Sequence, residues 1–171
     1  MVELILASKS KIRKEILNKN NILAKVQPST IDEEPIKQSL LKEKVSPELI
    51  SKNLAEIKAT RVSQKNFNSL VIGADSVIDL NGELISKPKS RNEALSILMK
   101  LNGKKHNLIS SVCISKNGSM IWNYTDKATL TMKNFNEQDL KEYLSKITDE
   151  SLYSYNVYQI EGEGRNLFLK I

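Results

Sequence analysis

The sequence is poor in cysteine and in aromatic side chains, and it has no long apolar run. One cysteine among 171 residues excludes an internal disulfide and is atypical of a disulfide-stapled secreted scaffold. No stretch approaches the roughly 18 consecutive apolar residues that a membrane helix needs. Glu3 interrupts the apolar start that a signal peptide would require. We therefore expect a cytoplasmic protein that does not enter a membrane.

Charge is plentiful and unbalanced. The 26 lysines and arginines exceed the 20 acidic residues, which gives a net charge of +6. Such a balance is compatible with nucleic-acid binding. However, the lysines are scattered along the chain, and no dense basic tract alternates with aromatic residues. Nucleic acid is therefore an unlikely partner, whereas a small phosphorylated ligand suits a basic protein.

Apolar periodicity predicts one mixed α/β domain over residues 1–171, with hairpins in the middle of the chain. Strands are expected at 2–7, 22–26, 69–75, 129–132 and 166–171, and helices at 11–18, from 47 onward, at 93–101 and at 137–146. Gly73 closes the apolar run of the third of these strands. Asn81-Gly82 and Gly118 mark two hairpin turns. Residues 28–35, "PSTIDEEP", are predicted to form a polar loop.

The first candidate for chemistry is the segment that joins the opening strand to the first helix. Ser8 and Ser10 supply hydroxyls there, and Lys11 and Arg13 supply positive charge. A helix N-terminus with such neighbours can bind a phosphate. The alternative is that Ser10 only caps the helix while the cations lie in solvent. Taken alone, this second interpretation is the better supported.

The second group of candidates consists of acidic residues and the lysines expected near them. Asp75 is expected at the carboxyl end of a buried strand, where α/β sheets bind ligands, although a turn aspartate is an equal alternative. A hairpin about Asn81-Gly82 would bring Lys87 near Asp75. The acidic run that contains Glu33 has no cation near it in sequence, so spacing alone favours a solvated loop. His106 is expected to be structural.

Six stretches, in this order and spacing, resemble the Maf family of nucleoside triphosphate pyrophosphatases, also called septum-formation-inhibitor-like proteins. They are "LILASKSKIRKEIL", "STIDEE", "LAEIKA", "VIGADSV", "ISKP" with "LNGKKHNLISSV", and "YQIEGEG". The resemblance implies an elongated mixed sheet flanked by helices with a central cleft, similar to inosine triphosphate pyrophosphatases, and a homodimer. It also implies hydrolysis of pyrimidine or modified nucleoside triphosphates to monophosphate and pyrophosphate, and a link to cell-division arrest.

The resemblance also assigns roles to residues. Asp75 would be the general base that activates water, or the metal-bound acid beside it, and Glu33 would share a Mg²⁺ or Mn²⁺ ion with Asp75. Lys87 would be the third catalytic residue, with Asp75 and Glu33. Phosphate oxygens would be held by Ser8, Ser10, Arg13, Lys58 and Lys87, with Lys11 replacing part of the charge of an arginine that the family usually has.

The chain departs from the family pattern at three places. Lys11 and Ile12 stand where proline and arginine are usual, and Glu161 stands where glutamine is usual. The sequence also stops at Ile171, where the family normally continues, so we expect that the usual C-terminal segment is missing. These departures motivate an alternative function, a nucleotide-binding regulator of division with weak or lost catalysis.

Overall fold

The structure is a computed structural model that describes every residue from Met1 to Ile171. Its strands are β1 Leu4–Leu6, β2 Lys25–Val26, β3 Leu70–Leu80, β4 Glu83–Ile85, β5 Lys105–Lys116, β6 Ser119–Met132 and β7 Phe168–Lys170. Its helices are α1 Lys11–Lys19, α2 Glu33–Lys42, α3 Pro47–Ser63, α4 Arg91–Leu101, α5 Glu137–Ser145 and α6 Asp149–Tyr155, with a 3-10 turn at Glu163–Leu167. None of these helices has the length and apolar content to cross a bilayer.

The strands form one seven-stranded sheet in the order β2-β1-β3-β5-β6-β7, with β4 paired to β3. β1 runs parallel to β2 and β3, whereas β4 and β7 pair antiparallel with β3 and β6. This mixture confirms the predicted mixed α/β sheet. By its contacts the chain divides into two compact units, a first unit of residues 1–77 and 109–126 and a second unit of residues 78–108 and 127–171.

In the first unit, small residues allow helix α3 to lie close to strand β3. A side chain at Gly73 would place its Cβ 2.3 Å from the carbonyl oxygen of Ala55 and 2.8 Å from the Cβ of Ala59. Both alanines are completely buried. Helix α3 starts cleanly because Pro47 occupies its first turn and the Ser46 hydroxyl accepts a hydrogen bond from the Leu49 amide. The close approach fixes which α3 side chains face β3.

The second unit holds the larger apolar core. Helix α4 packs against helix α5, and Leu98, Leu101 and Leu140 are completely buried in the same cluster. Asn136 caps α5 by accepting a hydrogen bond from the Asp139 amide, as the sequence predicts. His106 is buried in this unit, with its Nε2 2.9 Å from the Tyr158 hydroxyl, which confirms its predicted structural character.

Several element boundaries confirm the sequence predictions and others correct them. Asn81 and Gly82 have φ of 53° and 90°, which is the turn expected for the hairpin that they close. The third strand does not end at Asp75 as predicted, because β3 continues to Leu80. Residues 28–35 are not all loop, since α2 begins at Glu33 after the Asp32 carboxylate caps it by accepting from the Glu34 amide. Helix α6 was not predicted.

Candidate active site

Arg13, in the first turn of α1, connects the loop that leaves β1 to strand β3. The guanidinium of Arg13 donates from Nη1 to the Ser8 hydroxyl at 3.1 Å and to the backbone carbonyl of Ala74 at 2.9 Å. Ser8 is buried, and its hydroxyl also accepts from the Ser10 amide. The arginine is therefore fixed beside the residue that precedes Asp75, and its charge is not directed away from the sheet.

Ser10 caps helix α1, because its hydroxyl accepts a hydrogen bond from the Arg13 amide at 3.3 Å. The structural interpretation of this serine is thus confirmed, while the proposed phosphate contact stays a prediction. Lys11 is the first residue of α1 and is exposed, whereas Ile12 and Arg13 are half-buried. Arg13 contacts β3 through the Ala74 carbonyl.

The centre of the site is a lysine between two carboxylates. Nζ of Lys58 lies 2.9 Å from Oε1 of Glu33 and 2.9 Å from Oδ1 of Asp75. It also donates to the Ala74 carbonyl at 3.3 Å. Lys58 and Asp75 are each only 7% exposed, so this ion pair is largely shielded from solvent. The contact corrects one expectation, because the acidic run at Glu33 does have a cation beside it.

Strand and helix geometry explain why these groups meet. β1 ends at Leu6, opposite Ile72 of β3, and β3 continues beyond it. The Ala74 carbonyl therefore lies past the end of its parallel neighbour, and it accepts from Arg13 and Lys58 instead. Asp75 lies within β3 and not at its carboxyl end, which corrects the sequence prediction. It does lie just beyond the carboxyl end of β1, which explains its access to the loop at Ser8.

Burial and the neighbouring charges act in opposite directions on Asp75. Burial raises the pKa of its carboxyl above the ordinary value of 3.8, while the Lys58 ammonium partly offsets this by attraction and by its hydrogen bond. The Glu33 carboxylate raises this pKa further, and Arg13 lowers it. The resulting pKa is raised, which makes the ionised carboxylate a stronger proton acceptor than an exposed aspartate.

Ser51 belongs to the site although the sequence interpretation did not select it. It is completely buried on α3, and its hydroxyl donates to the backbone carbonyl of Asp75 at 3.1 Å. Ser51 and Lys58 are seven residues apart, which places them on the same face of a helix. This spacing was available in the sequence, but nothing in the sequence indicates which strand the face would contact.

Lys87 and Glu161 lie in the second unit. Lys87 is exposed and follows β4, just before the buried Pro88. Glu161 is exposed in the turn that precedes the 3-10 segment. The turn is compact, because a Cβ at Gly164 would lie 2.6 Å from the backbone nitrogen of Gln159. The roles that the resemblance gives to Lys87 and Glu161 stay predictions.

The two carboxylates have the right chemistry for a hard divalent cation. Glu33 Oε1 and Asp75 Oδ1 each contact the same ammonium nitrogen at 2.9 Å, so they are directed toward a common point that bears positive charge. No group of three or more histidine, cysteine or acidic side chains in the chain could form a metal cage. The residues therefore fit Mg²⁺ or Mn²⁺ only as part of a shell completed by substrate oxygens and water, which is the usual arrangement for Mg²⁺.

Comparison with known proteins places the chain in a family. The Maf-like protein family model matches residues 3–171. The chain is 66% identical over 169 residues to a nucleoside triphosphate pyrophosphatase of Pelagibacter ubique, covering 99% of this chain and 87% of that protein. It is 35% identical to a 7-methyl-GTP pyrophosphatase of Brucella abortus, covering 99% of this chain and 85% of that one.

Among solved structures, a HAM1 protein from Coxiella burnetii matches with a TM-score of 0.54 at 15% identity. The match covers 77% of this chain and 73% of that one, and it supports the predicted fold alone. The family match over nearly the whole chain carries the assignment, and the order of the six stretches agrees with it. The chain belongs to the Maf family.

Proposed function

We propose that the protein is a nucleoside triphosphate pyrophosphatase that releases a nucleoside monophosphate and pyrophosphate. The observation that carries the proposal is the Glu33–Lys58–Asp75 group, a shielded ammonium between two carboxylates, next to the Arg13 guanidinium. Family membership and the names of its relatives support the same activity. Negative charge develops on the phosphate oxygens during hydrolysis of a phosphoric anhydride. The Lys58 ammonium and the Arg13 guanidinium are suited to stabilise this charge.

The proposed reaction begins with water positioned against the α-phosphorus. The Asp75 carboxylate accepts a proton from this water as its oxygen bonds to phosphorus. The bond from the α-phosphorus to the bridging oxygen then breaks, and its electron pair leaves with pyrophosphate. Lys58 and Arg13 would stabilise the charge that develops on the phosphate oxygens, and Lys87, Ser8 and Ser10 are the further phosphate ligands that the family resemblance suggests.

Divalent metal is part of this proposal. Glu33 and Asp75 would hold Mg²⁺ or Mn²⁺ together with the triphosphate, and the ion would supply Lewis-acid polarisation of the phosphoryl oxygens. Each of three protein side chains then has its own task. Asp75 takes the proton, Ser51 holds the backbone of Asp75, and Arg13 ties the opening loop to the carbonyl of Ala74.

The substrate class that we propose is a modified or pyrimidine nucleoside triphosphate. The Brucella relatives carry the name 7-methyl-GTP pyrophosphatase. This name makes 7-methyl-GTP our first candidate. Parallel kcat/KM measurements with 7-methyl-GTP and the pyrimidine nucleotides test this choice.

The proposal is tested by measuring pyrophosphate release from a panel of triphosphates with Mg²⁺ or Mn²⁺. The panel includes dTTP, UTP, CTP, GTP and 7-methyl-GTP, and at least one should be converted to monophosphate and pyrophosphate in equal amounts. Folded protein that binds a nucleotide tightly but turns over none would instead favour the division regulator, a function for which Ile12 in place of an arginine is the motivating feature.

A homodimer in the cytoplasm remains our expectation, and sedimentation velocity would test the dimer.

A further inference from the structure

The three hydrogen-bond donors of the Lys58 ammonium are all in use. An ammonium has three N–H groups, and Nζ of Lys58 contacts Glu33 at 2.9 Å, Asp75 at 2.9 Å and the Ala74 carbonyl at 3.3 Å. A phosphate oxygen can therefore be bound by Lys58 only if one of these acceptors is released. The two carboxylates and the phosphate compete for one cation.

The same two carboxylates would hold the divalent ion. A metal bound by both would make the contacts that the ammonium makes, because both oxygens are directed at one nitrogen. Two cations in that position would repel each other strongly in a site where solvent screens them poorly. The ammonium and the metal therefore exclude one another between Glu33 and Asp75.

We propose that Lys58 is an internal competitor for the divalent cation, which leaves the carboxylates when a triphosphate offers it another anion. This inference rests on the proposed function and concerns the order of binding at that site. Metal binds weakly to the protein alone, and it binds with the nucleotide, whose phosphates both attract Lys58 and complete the metal shell.

The two carboxylates differ in how easily the ammonium can leave them. The Glu33 side chain is 35% exposed, while that of Asp75 is 10% exposed. Releasing Glu33 exposes a carboxylate that water already reaches, whereas releasing Asp75 would leave a shielded carboxylate without its partner, which costs more. Glu33 is therefore the partner that Lys58 gives up first, before it leaves Asp75, and the lysine stem is long and flexible enough to move its charge.

The test measures Mn²⁺ binding to the protein without nucleotide, by isothermal titration calorimetry at pH 8. Lys58→Met removes the competing charge and keeps an unbranched side chain, so Mn²⁺ should bind at least about tenfold tighter than to the wild-type protein, a change of about 1.4 kcal/mol. Lys58→Arg keeps the charge and should bind Mn²⁺ as weakly as the wild type. Lys52→Met on the same helix is the matched control and should also leave the affinity unchanged.

Three results would overturn the inference. One is an unchanged or weaker Mn²⁺ affinity in Lys58→Met, and another is an equal gain in Lys58→Arg. The last is a gain that persists when Glu33→Gln is added to Lys58→Met, since the metal would then not use Glu33. Circular dichroism and thermal melting verify folding, and Lys58→Gln takes the place of Lys58→Met if the latter does not fold.

The experiment separates this inference from the proposed function, because its readout is metal affinity and not turnover. A wild-type protein that hydrolyses no triphosphate would remove the proposed function while the Mn²⁺ comparison retained its meaning. Conversely, an active wild-type enzyme whose Lys58→Met variant gains no Mn²⁺ affinity would overturn only the competition between Lys58 and the divalent cation, and the proposed function would stand.

Discussion

Asp75→Asn removes the proton acceptor and changes little else in shape. The amide oxygen can still accept from Lys58, and Lys58 keeps Glu33 at 2.9 Å, so its charge stays compensated. The variant loses one charge-assisted hydrogen bond but also removes a buried charge whose pKa burial raises. These two effects oppose one another, so we expect the free energy of unfolding to change by no more than about 1 kcal/mol. Removing a general base costs typically about 10²- to 10⁴-fold, so kcat should fall in that range.

The assay couples released pyrophosphate to a colorimetric phosphate readout, with urea denaturation in parallel to measure stability. Asp79→Asn is the matched control, because Asp79 lies on the same strand and its Oδ1 accepts from the Gly82 amide in the hairpin turn, a bond that asparagine can keep. We expect this control to retain wild-type kcat. If Asp75→Asn were folded and kept wild-type kcat, Asp75 would not be the proton acceptor.

Four further predictions follow from particular contacts. Gly73→Ala forces a Cβ into the backbone of Ala55, so urea denaturation should show a loss of about 1–3 kcal/mol, and displacement of α3 should lower kcat as well. Ser51→Ala removes the hydroxyl that holds the Asp75 carbonyl, which should cost about 1 kcal/mol of unfolding free energy and reduce kcat more than it raises KM. Because the pKa of Asp75 is raised in the free protein, kcat/KM should decline on acidification with a midpoint above 3.8, and the residual kcat/KM of Asp75→Asn should lack this decline in a pH–rate profile. Burial lowers the pKa of His106 from 6.5 to about 4, so its neutral form stabilises the fold above 6.5 and that stability is lost as pH falls from 6.5 toward 4. His106→Asn should therefore show a smaller loss of unfolding free energy than the wild type over the same interval, measured by urea titration.

The sequence predicts turns and helix ends correctly where a few neighbouring residues determine the backbone conformation. Asn81-Gly82 predicted its hairpin because both residues tolerate positive φ, and Asn136 predicted the start of α5 because its side chain can cap a helix. The start of α2 is a different case, because the prediction of a polar loop over residues 28–35 is wrong there. Asp32 before two glutamates and a proline is a pattern of helix N-termini.

Three residues of the candidate site can be selected from the sequence, but the contacts that join them cannot. The sequence selected Glu33, Lys58 and Asp75 through the family resemblance, yet spacing alone could not join residues so far apart. Their meeting depends on the closeness of α3 to β3, which Gly73 permits. Ser51 was missed for the same reason, since its role exists only once α3 lies on β3.

The central claim is that water attacks the α-phosphorus of a nucleoside triphosphate at this site. Hydrolysis of the best substrate of the panel in water enriched in oxygen-18, followed by mass spectrometry of both products, tests it most directly. The account predicts one labelled oxygen in the nucleoside monophosphate and none in the pyrophosphate. Label in the pyrophosphate would place the attack on the β-phosphorus and contradict the account, as would the absence of turnover by folded protein supplied with Mg²⁺ or Mn²⁺.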